Sequence, residues 1–245
     1  AADLLDACPQ LAALLRAESE LRDLLNAAKP DLGLDRLEQA KVQVNMGNGG
    51  AFPHHFDLSV AKDNRRHLTA LLYLNPDWQQ GSGGEVEMLL FPFDSETVPP
   101  LNRRLLVFSS NMTMHRVTPF TDSQRPRVCI NLWFEGKTSL PFPTPLPPQD
   151  FNTPAAKVVQ VLRRQPNELR AFCKLWYREA IAQSFRDAFR PSPELDKAIA
   201  LHYEEADEIE SRVAPSTLKM LDECIPLARK EPEAPEEMVG LFEDL

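Results

Sequence analysis

The sequence predicts a mixed α+β protein, with an antiparallel β core flanked by a helical segment on each side. Three observations carry that expectation. An apolar stripe at helical spacing occupies the first forty residues. Short alternating runs separated by turn residues fill the stretch from about Lys41 to Phe134. Helical periodicity then returns after a proline-rich stretch.

Residues 1–40 read as helical support. Leu11, Leu14, Leu15, Leu21, Leu24, Leu25 and Ala28 recur at spacings of three and four, and Glu18 and Arg22 sit four apart on the opposite side. Pro30 and Gly33 break the pattern. The core is expected over 41–137. Its candidate strands are KVQVN (41–45), HLTALLYL (67–74), EVEMLLF (85–91), RRLLVFS (103–109) and RVCINLWF (127–134), with MGNGG, NPDWQQGSGG, FDSETVPP and TPFTDSQRP between them. Many short strands at such spacing argue for a sandwich, a jelly roll or a barrel. Residues 138–154 hold six prolines and read as a linker or extended strap, since proline removes a helical donor.

The remainder, 155–245, reads as a helical extension. Leu169, Phe172, Cys173, Trp176, Ala180, Phe185 and Phe189 line one face of a single long helix ended by Pro191 and Pro193. A second, acidic helix covers about 194–212. A third is expected after Ser216 as N-cap, and the tail EPEAPEE is expected to be solvated. The simplest role for these helices is to cap the core.

Bulk composition excludes several function classes. The chain has 245 residues, 43% hydrophobic and 26% charged, enough for one large domain or one domain with an appendage. A net charge of −9 gives no general attraction to nucleic acid or anionic membrane. No apolar run approaches the roughly 20 residues of a membrane helix. The opening AADLLDACPQ has neither the basic nor the apolar region of a signal peptide. Cys8, Cys129, Cys173 and Cys224 form no CxxC pair, so zinc-knuckle or redox motifs are not expected. Scattered reduced thiols suggest a cytoplasmic or nuclear location.

The sharpest local feature is Pro53-His54-His55-Phe56-Asp57. On a strand, His55 and Asp57 share one face while His54 and Phe56 take the other. One imidazole and one carboxylate then converge, two-thirds of a facial metal triad. Of the five histidines, His67 is too near in sequence to come from a distant strand and His202 lies in the acidic helix. That leaves His115, between two predicted strands. Two histidines and one carboxylate with open positions suit Fe(II) oxygenases. Taken alone, HxD is common by chance. In RVCINLWF, Arg127, Cys129, Asn131 and Trp133 share a face, and Val128, Ile130, Leu132 and Phe134 form the packing face. A buried arginine needs an anionic partner, and its fork suits a carboxylate. A dicarboxylate would satisfy it, although an internal salt bridge is the simpler reading of Arg127 in isolation. Tyr73, on the face shared by Thr69 and Leu71, could donate to the same carboxylate; in isolation it reads as core packing.

The order of these parts is more specific than any one of them. The stretches MGNGGAFPHHFD (46–57), LYLNPDWQQGSGGEVEML (72–89), LLVFSSNMTMH (105–115) and RPRVCINLWF (125–134) resemble the prolyl 4-hydroxylase group of 2-oxoglutarate/Fe(II) oxygenases, most of all the hypoxia-inducible-factor prolyl hydroxylase type. The likeness spans about residues 41–135. It implies a double-stranded β-helix, a jelly-roll core with helices beside it. It makes His55, Asp57 and His115 the iron ligands and Arg127 the partner of the 2-oxoglutarate C5 carboxylate, assisted by Tyr73. Arg125 is the rival for that role, but counting back from Leu132-Trp133-Phe134 favours Arg127. Arg66 falls where the hypoxia-type enzymes place a basic residue near the substrate groove. The sequence departs from that pattern at Asn45, where those enzymes have a tyrosine, at Asn131 in place of a threonine, and at Leu58-Ser59 in place of Asn-Pro.

The resemblance implies hydroxylation of a prolyl residue in a protein or peptide, coupled to decarboxylation of 2-oxoglutarate to succinate and CO2. Fe(II), 2-oxoglutarate and O2 are the implied cofactors, with ascorbate as an accessory reductant. Two other outcomes fit the same residues. One is oxidation of another residue, a small molecule or a nucleobase. The other is a non-catalytic metal-binding interaction module.

Overall fold

Eight strands interleave into two four-stranded antiparallel sheets in the computed structural model, which describes residues 8–57, 65–91, 95–137 and 166–228. The strands are β1 (Leu34–Asn45), β2 (Gly50–His55), β3 (Arg66–Tyr73), β4 (Val86–Leu89), β5 (Ser95–Val98), β6 (Leu105–Ser109), β7 (Met114–Phe120) and β8 (Arg127–Gly136). The major sheet has the order β1-β8-β3-β6 and the minor sheet β2-β7-β4-β5. This alternation between sheets is the double-stranded β-helix, the expected jelly-roll core.

Alternation along β8 sorts the interior from the exterior. Ile130, Leu132 and Phe134 join Leu68 and Ala70 of β3 in a buried cluster on the outer face of the major sheet. Helices α1 (Pro9–Arg16) and α2 (Glu18–Ala28) cover that cluster with Leu11, Leu14, Leu15, Leu21 and Leu25. A fully buried leucine such as Leu25 contributes about 1.5–3 kcal/mol, and the partly buried ones less. Between the sheets lie Leu71, Tyr73, Val86, Met88, Phe108, Val117 and Cys129. The outer face of the minor sheet is covered by α3 (Pro166–Trp176) and α4 (Arg178–Ala188). Beyond them pack α5 (Pro193–Arg212) and α6 (Pro215–Ala228), with Leu195 and Ile199 of α5 against Ala182 of α4. No described helix is long and apolar enough to cross a membrane.

Several elements differ from expectation. The N-terminal stripe is two helices meeting at Ala17, and the chain is already extended from Leu34. Leu34–Ala40 is rich in good helix formers, yet Gly33 turns the chain in a left-handed conformation (φ +52°) and β8 supplies backbone partners. Pairing overrides propensity here, at the cost of two register shifts. SETV (95–98), expected in a connecting segment, is β5, and β7 takes in Met114–Phe120, its last three residues expected in the next connection. The expected long helix is broken at Tyr177 into α3 and α4, and both Trp176 and Tyr177 pack on Phe91. Helix α6 starts at Pro215, with the Ala214 carbonyl accepting from the Thr217 and Leu218 amides, so Ser216 lies inside the first turn. The proline-rich stretch 138–154 and the acidic tail lie outside the described residues.

Candidate metal centre

Strands β2 and β7 pair so that His55 and His115 are directly opposite. Their rings lie 4.4 Å apart, centroid to centroid. Asp57 follows two residues after His55, just past the end of β2, and turns its carboxylate onto the same point. The three side chains each offer one ligand atom, all within 4.8 Å of one another. The sequence therefore identified the cluster, with one difference: Asp57 sits beyond the strand end.

The carbonyl of Pro53 accepts from His55 Nδ1 at 2.8 Å, and that of Thr113 accepts from His115 Nδ1 at 3.2 Å. A carbonyl can only accept, so each Nδ1 carries a proton, and each ring in its neutral form presents the Nε2 lone pair inward. Asp57 is held as firmly. Its Oδ2 accepts from Thr69 Oγ1 at 2.9 Å and from the Trp133 indole at 3.0 Å, leaving Oδ1 to face His55 Nε2 at 3.3 Å. Burial alone would raise the Asp57 carboxyl, but the hydrogen bonds with His55 and Trp133 and the nearby imidazoles hold it well below the usual carboxylate range. Burial pushes the His115 imidazole down to about 4. Burial opposes charge on His55 too, yet its bonds to Asp57 and to the Pro53 carbonyl raise it above the ordinary histidine value.

These side chains end a cavity of about 160 Å³ between the sheets. The β8 face predicted to be polar, Arg127, Cys129, Asn131 and Trp133, lines it, with Lys41 and Gln43 of β1. Arg127 is 2% exposed. Its Nε donates to the Gly84 carbonyl at 2.6 Å, and its guanidinium lies 5.4 Å from the Tyr73 ring centre. Among the described residues no carboxylate lies within salt-bridge distance of it. Gly84 is required there, because a Cβ would come within 2.5 Å of the Arg127 side chain and its φ is +79°. Among the described residues, the Tyr73 hydroxyl and Asn131 Oδ1 are buried without a hydrogen-bond partner of normal geometry. The donor set thus fits a divalent metal with open positions, and the unpaired cation and orphaned hydroxyl fit an anionic cosubstrate beside it.

The remaining predicted positions fall outside this cavity. Arg66 forms a two-pronged ion pair with Glu38, at 2.7 and 3.1 Å, and stacks 4.8 Å above the Trp133 ring. Arg125 is at the surface, 3.7 Å from Asp122. Asn45 bonds the Gly50 carbonyl at 2.6 Å. His54 faces away into the helices, and His67 and His202 bond backbone carbonyls of Leu32 and Arg178. The roles of Thr69 and Trp133 as donors to Asp57 were missed, although Thr69 was already on the Tyr73 face and Trp133 on the Arg127 face.

Comparison with known proteins agrees with this geometry. Residues 41–135 match the 2OG-Fe(II) oxygenase superfamily. A prolyl 4-hydroxylase structure from Phytophthora capsici superposes with a TM-score of 0.72 and 26% identity, covering 93% of this chain and 76% of that one. A Pseudomonas putida prolyl 4-hydroxylase matches at 30% identity over 52% of this chain and 67% of its own, with a TM-score of 0.45. A Trichoplax adhaerens prolyl hydroxylase, in complex with a hypoxia-inducible-factor peptide fragment, matches at 26% identity over 51% and 57%, also at 0.45. Fold, converging His-Asp-His cluster and sequence match coincide on one assignment: the chain belongs to the 2OG-Fe(II) oxygenase superfamily, as a 2-oxoglutarate/Fe(II)-dependent dioxygenase of prolyl 4-hydroxylase-like type.

Proposed function

We propose that this protein hydroxylates a prolyl residue in a protein or peptide, with decarboxylation of 2-oxoglutarate to succinate and CO2. The observation that carries the cosubstrate is the buried Arg127, with no carboxylate in reach among the described residues, in the same cavity as His55, Asp57 and His115. The three ligands would hold Fe(II), which supplies the oxidising chemistry once 2-oxoglutarate and O2 are present. Arg127 would take the distal carboxylate of 2-oxoglutarate as a two-pronged pair, and the Tyr73 hydroxyl would donate to the same group. Thr69 and Trp133 would keep Asp57 on one oxygen, leaving positions free for cosubstrate and O2. The prolyl substrate is supported by the likeness to the Phytophthora capsici prolyl 4-hydroxylases across nearly the whole chain. Arg66, held by Glu38 over Trp133, would stand at the substrate side of the cavity.

The test is mass spectrometry of proline-bearing peptides after incubation with enzyme, Fe(II), 2-oxoglutarate and ascorbate, with succinate measured in parallel. A gain of one oxygen on proline, stoichiometric with succinate, is expected. Succinate with oxidation elsewhere would reassign the substrate. No succinate with any substrate, and no 2-oxoglutarate binding, would leave a non-catalytic metal-binding module.

A further inference from the structure

The three converging side chains have four described chain neighbours: His54, Phe56, Met114 and Arg116. None of them lines the cavity. Strand alternation sends them to the back of the minor sheet, and there each meets the C-terminal helices. The His54 amide donates to Ser184 Oγ of α4 at 3.0 Å, and that hydroxyl donates onward to the Ile181 carbonyl at 2.7 Å. Phe56 and Met114 pack in one apolar cluster with Leu169 and Cys173 of α3 and Ile181 of α4. Arg116 donates from Nε to Glu87 at 2.8 Å and from Nη1 to Asp187 of α4 at 2.7 Å. Glu87 is itself the β4 partner of Arg116 across the sheet.

The sheet alone does not explain this arrangement. β2 is an edge strand, and its pairing with β7 is irregular, with register shifts on both sides of Phe52. A strand held on one side by an interrupted ladder fixes a ligand loosely, whereas a metal site needs its ligands within about 0.5 Å of place. The missing constraint comes from α4, which binds the backbone of the residue before His55 and the side chain of the residue after His115.

We infer that α4 is the back plate of the metal centre, with Ser184 and Asp187 acting as positioning residues for His55 and His115. This rests on the reading of His55, Asp57 and His115 as metal ligands. The helical extension is then a working part of the site as well as a cover for the sheet. Coupling of this kind is reciprocal, so metal in the cavity tightens the docking of α4.

Hydrogen exchange on the full chain with and without Co(II) reads that reciprocity without any variant. Protection is expected in β2 and β7 and also across 178–188. Protection of β2 and β7 with 178–188 unchanged overturns the inference while keeping the ligand assignment. No Co(II) absorption bands and no protection of β2 or β7 defeats the ligand assignment itself. Co(II) titration of Asp187→Asn and Ser184→Ala adds a second measure, with Lys174→Ala as control, since Lys174 forms an exposed pair with Glu205 of α5. Each of the first two is expected to weaken Co(II) binding about tenfold, the range found when groups behind metal ligands are altered, and the control is expected to leave it unchanged. Affinities within about twofold of the parent in both folded variants would make the helices structural only. If Ser184→Ala does not fold, Asp187→Asn, whose side chain is 30% exposed, decides the matter with the exchange data.

Discussion

Replacing Arg127 by methionine separates the two consequences of burying a cation without a counter-ion. In the parent protein Arg127 is 2% exposed, and its Nε–H donates to the Gly84 carbonyl with no carboxylate in reach among the described residues. Burying an incompletely paired charge costs several kcal/mol, and a well-packed apolar side chain of similar length often restores it. Against that gain stands the lost bond to Gly84, worth about 1 kcal/mol. Ligand-free Arg127→Met should therefore melt no lower than the parent. Its response to 2-oxoglutarate should differ sharply. At a concentration 100 times its Kd, a ligand that binds only the folded state stabilises by about 2.7 kcal/mol. For a chain of this size that raises the melting temperature by about 5–10 °C. Losing a hydrogen bond to a charged group costs about 1.5–3 kcal/mol, or roughly 10- to 150-fold in affinity. At the same concentration the stabilisation should fall from about 2.7 to about 0.3–1.4 kcal/mol, at least halving the shift.

The assay is thermal unfolding by differential scanning fluorimetry, anaerobically with Mn(II) in the cavity, over a 2-oxoglutarate series. A full shift in Arg127→Met would refute the assignment of the carboxylate partner. A ligand-free variant several degrees below the parent would refute the electrostatic argument, since the arginine would then be stabilising without its anion.

Tyr73→Phe removes a hydroxyl with no hydrogen-bond partner of normal geometry among the described residues, so it should leave stability nearly unchanged while weakening 2-oxoglutarate about tenfold, read in the same melting series. Thr69→Val takes one of two donors from Asp57 Oδ2 and strands the buried Ser110 hydroxyl. Metal titration should show a 10- to 100-fold loss, and denaturant unfolding a destabilisation of about 1–3 kcal/mol. Burial pushes the Cys129 and Cys173 thiols up to about 12, while Cys8 is only half-buried. Iodoacetamide near pH 8 should label Cys8 in the native protein and reach the other two only after unfolding, as read by peptide mapping.

The site was more legible than the scaffold that holds it. A period of two puts His55 and Asp57 together and sorts Arg127, Cys129, Asn131 and Trp133 from their apolar neighbours, and the structure keeps both groupings. Elimination among five histidines found His115, and no contact had to be known for that. Elements whose local propensity disagreed with their pairing were hidden. LDRLEQA reads as helix until β8 is beside it, and SETV is too short and polar to declare itself a strand before β4 supplies a partner. The break at Tyr177 was equally silent, because Phe91, against which the flanking rings pack, comes from a distant part of the chain.

The same period of two explains why a metal centre built on strands needs support behind it. Every inward side chain of the candidate centre is followed or preceded by an outward one, so fixing the outward residue fixes the backbone of its inward neighbour. In the major sheet the outward residues are apolar, and two amphipathic helices cover them with leucines. In the minor sheet they are mixed, with Phe56 and Met114 beside His54, Glu87 and Arg116. Leucines could cover the apolar pair but would strand the charged ones, at a cost that exceeds the gain from packing. The covering helix must therefore carry its own polar groups at matching positions, and Ser184 and Asp187 are three apart on α4, on one face of the helix. A directional polar interface of this kind transmits a displacement that a leucine cluster would absorb. On that ground, disturbance of α4 should reach the candidate metal centre before disturbance of α1 or α2 does.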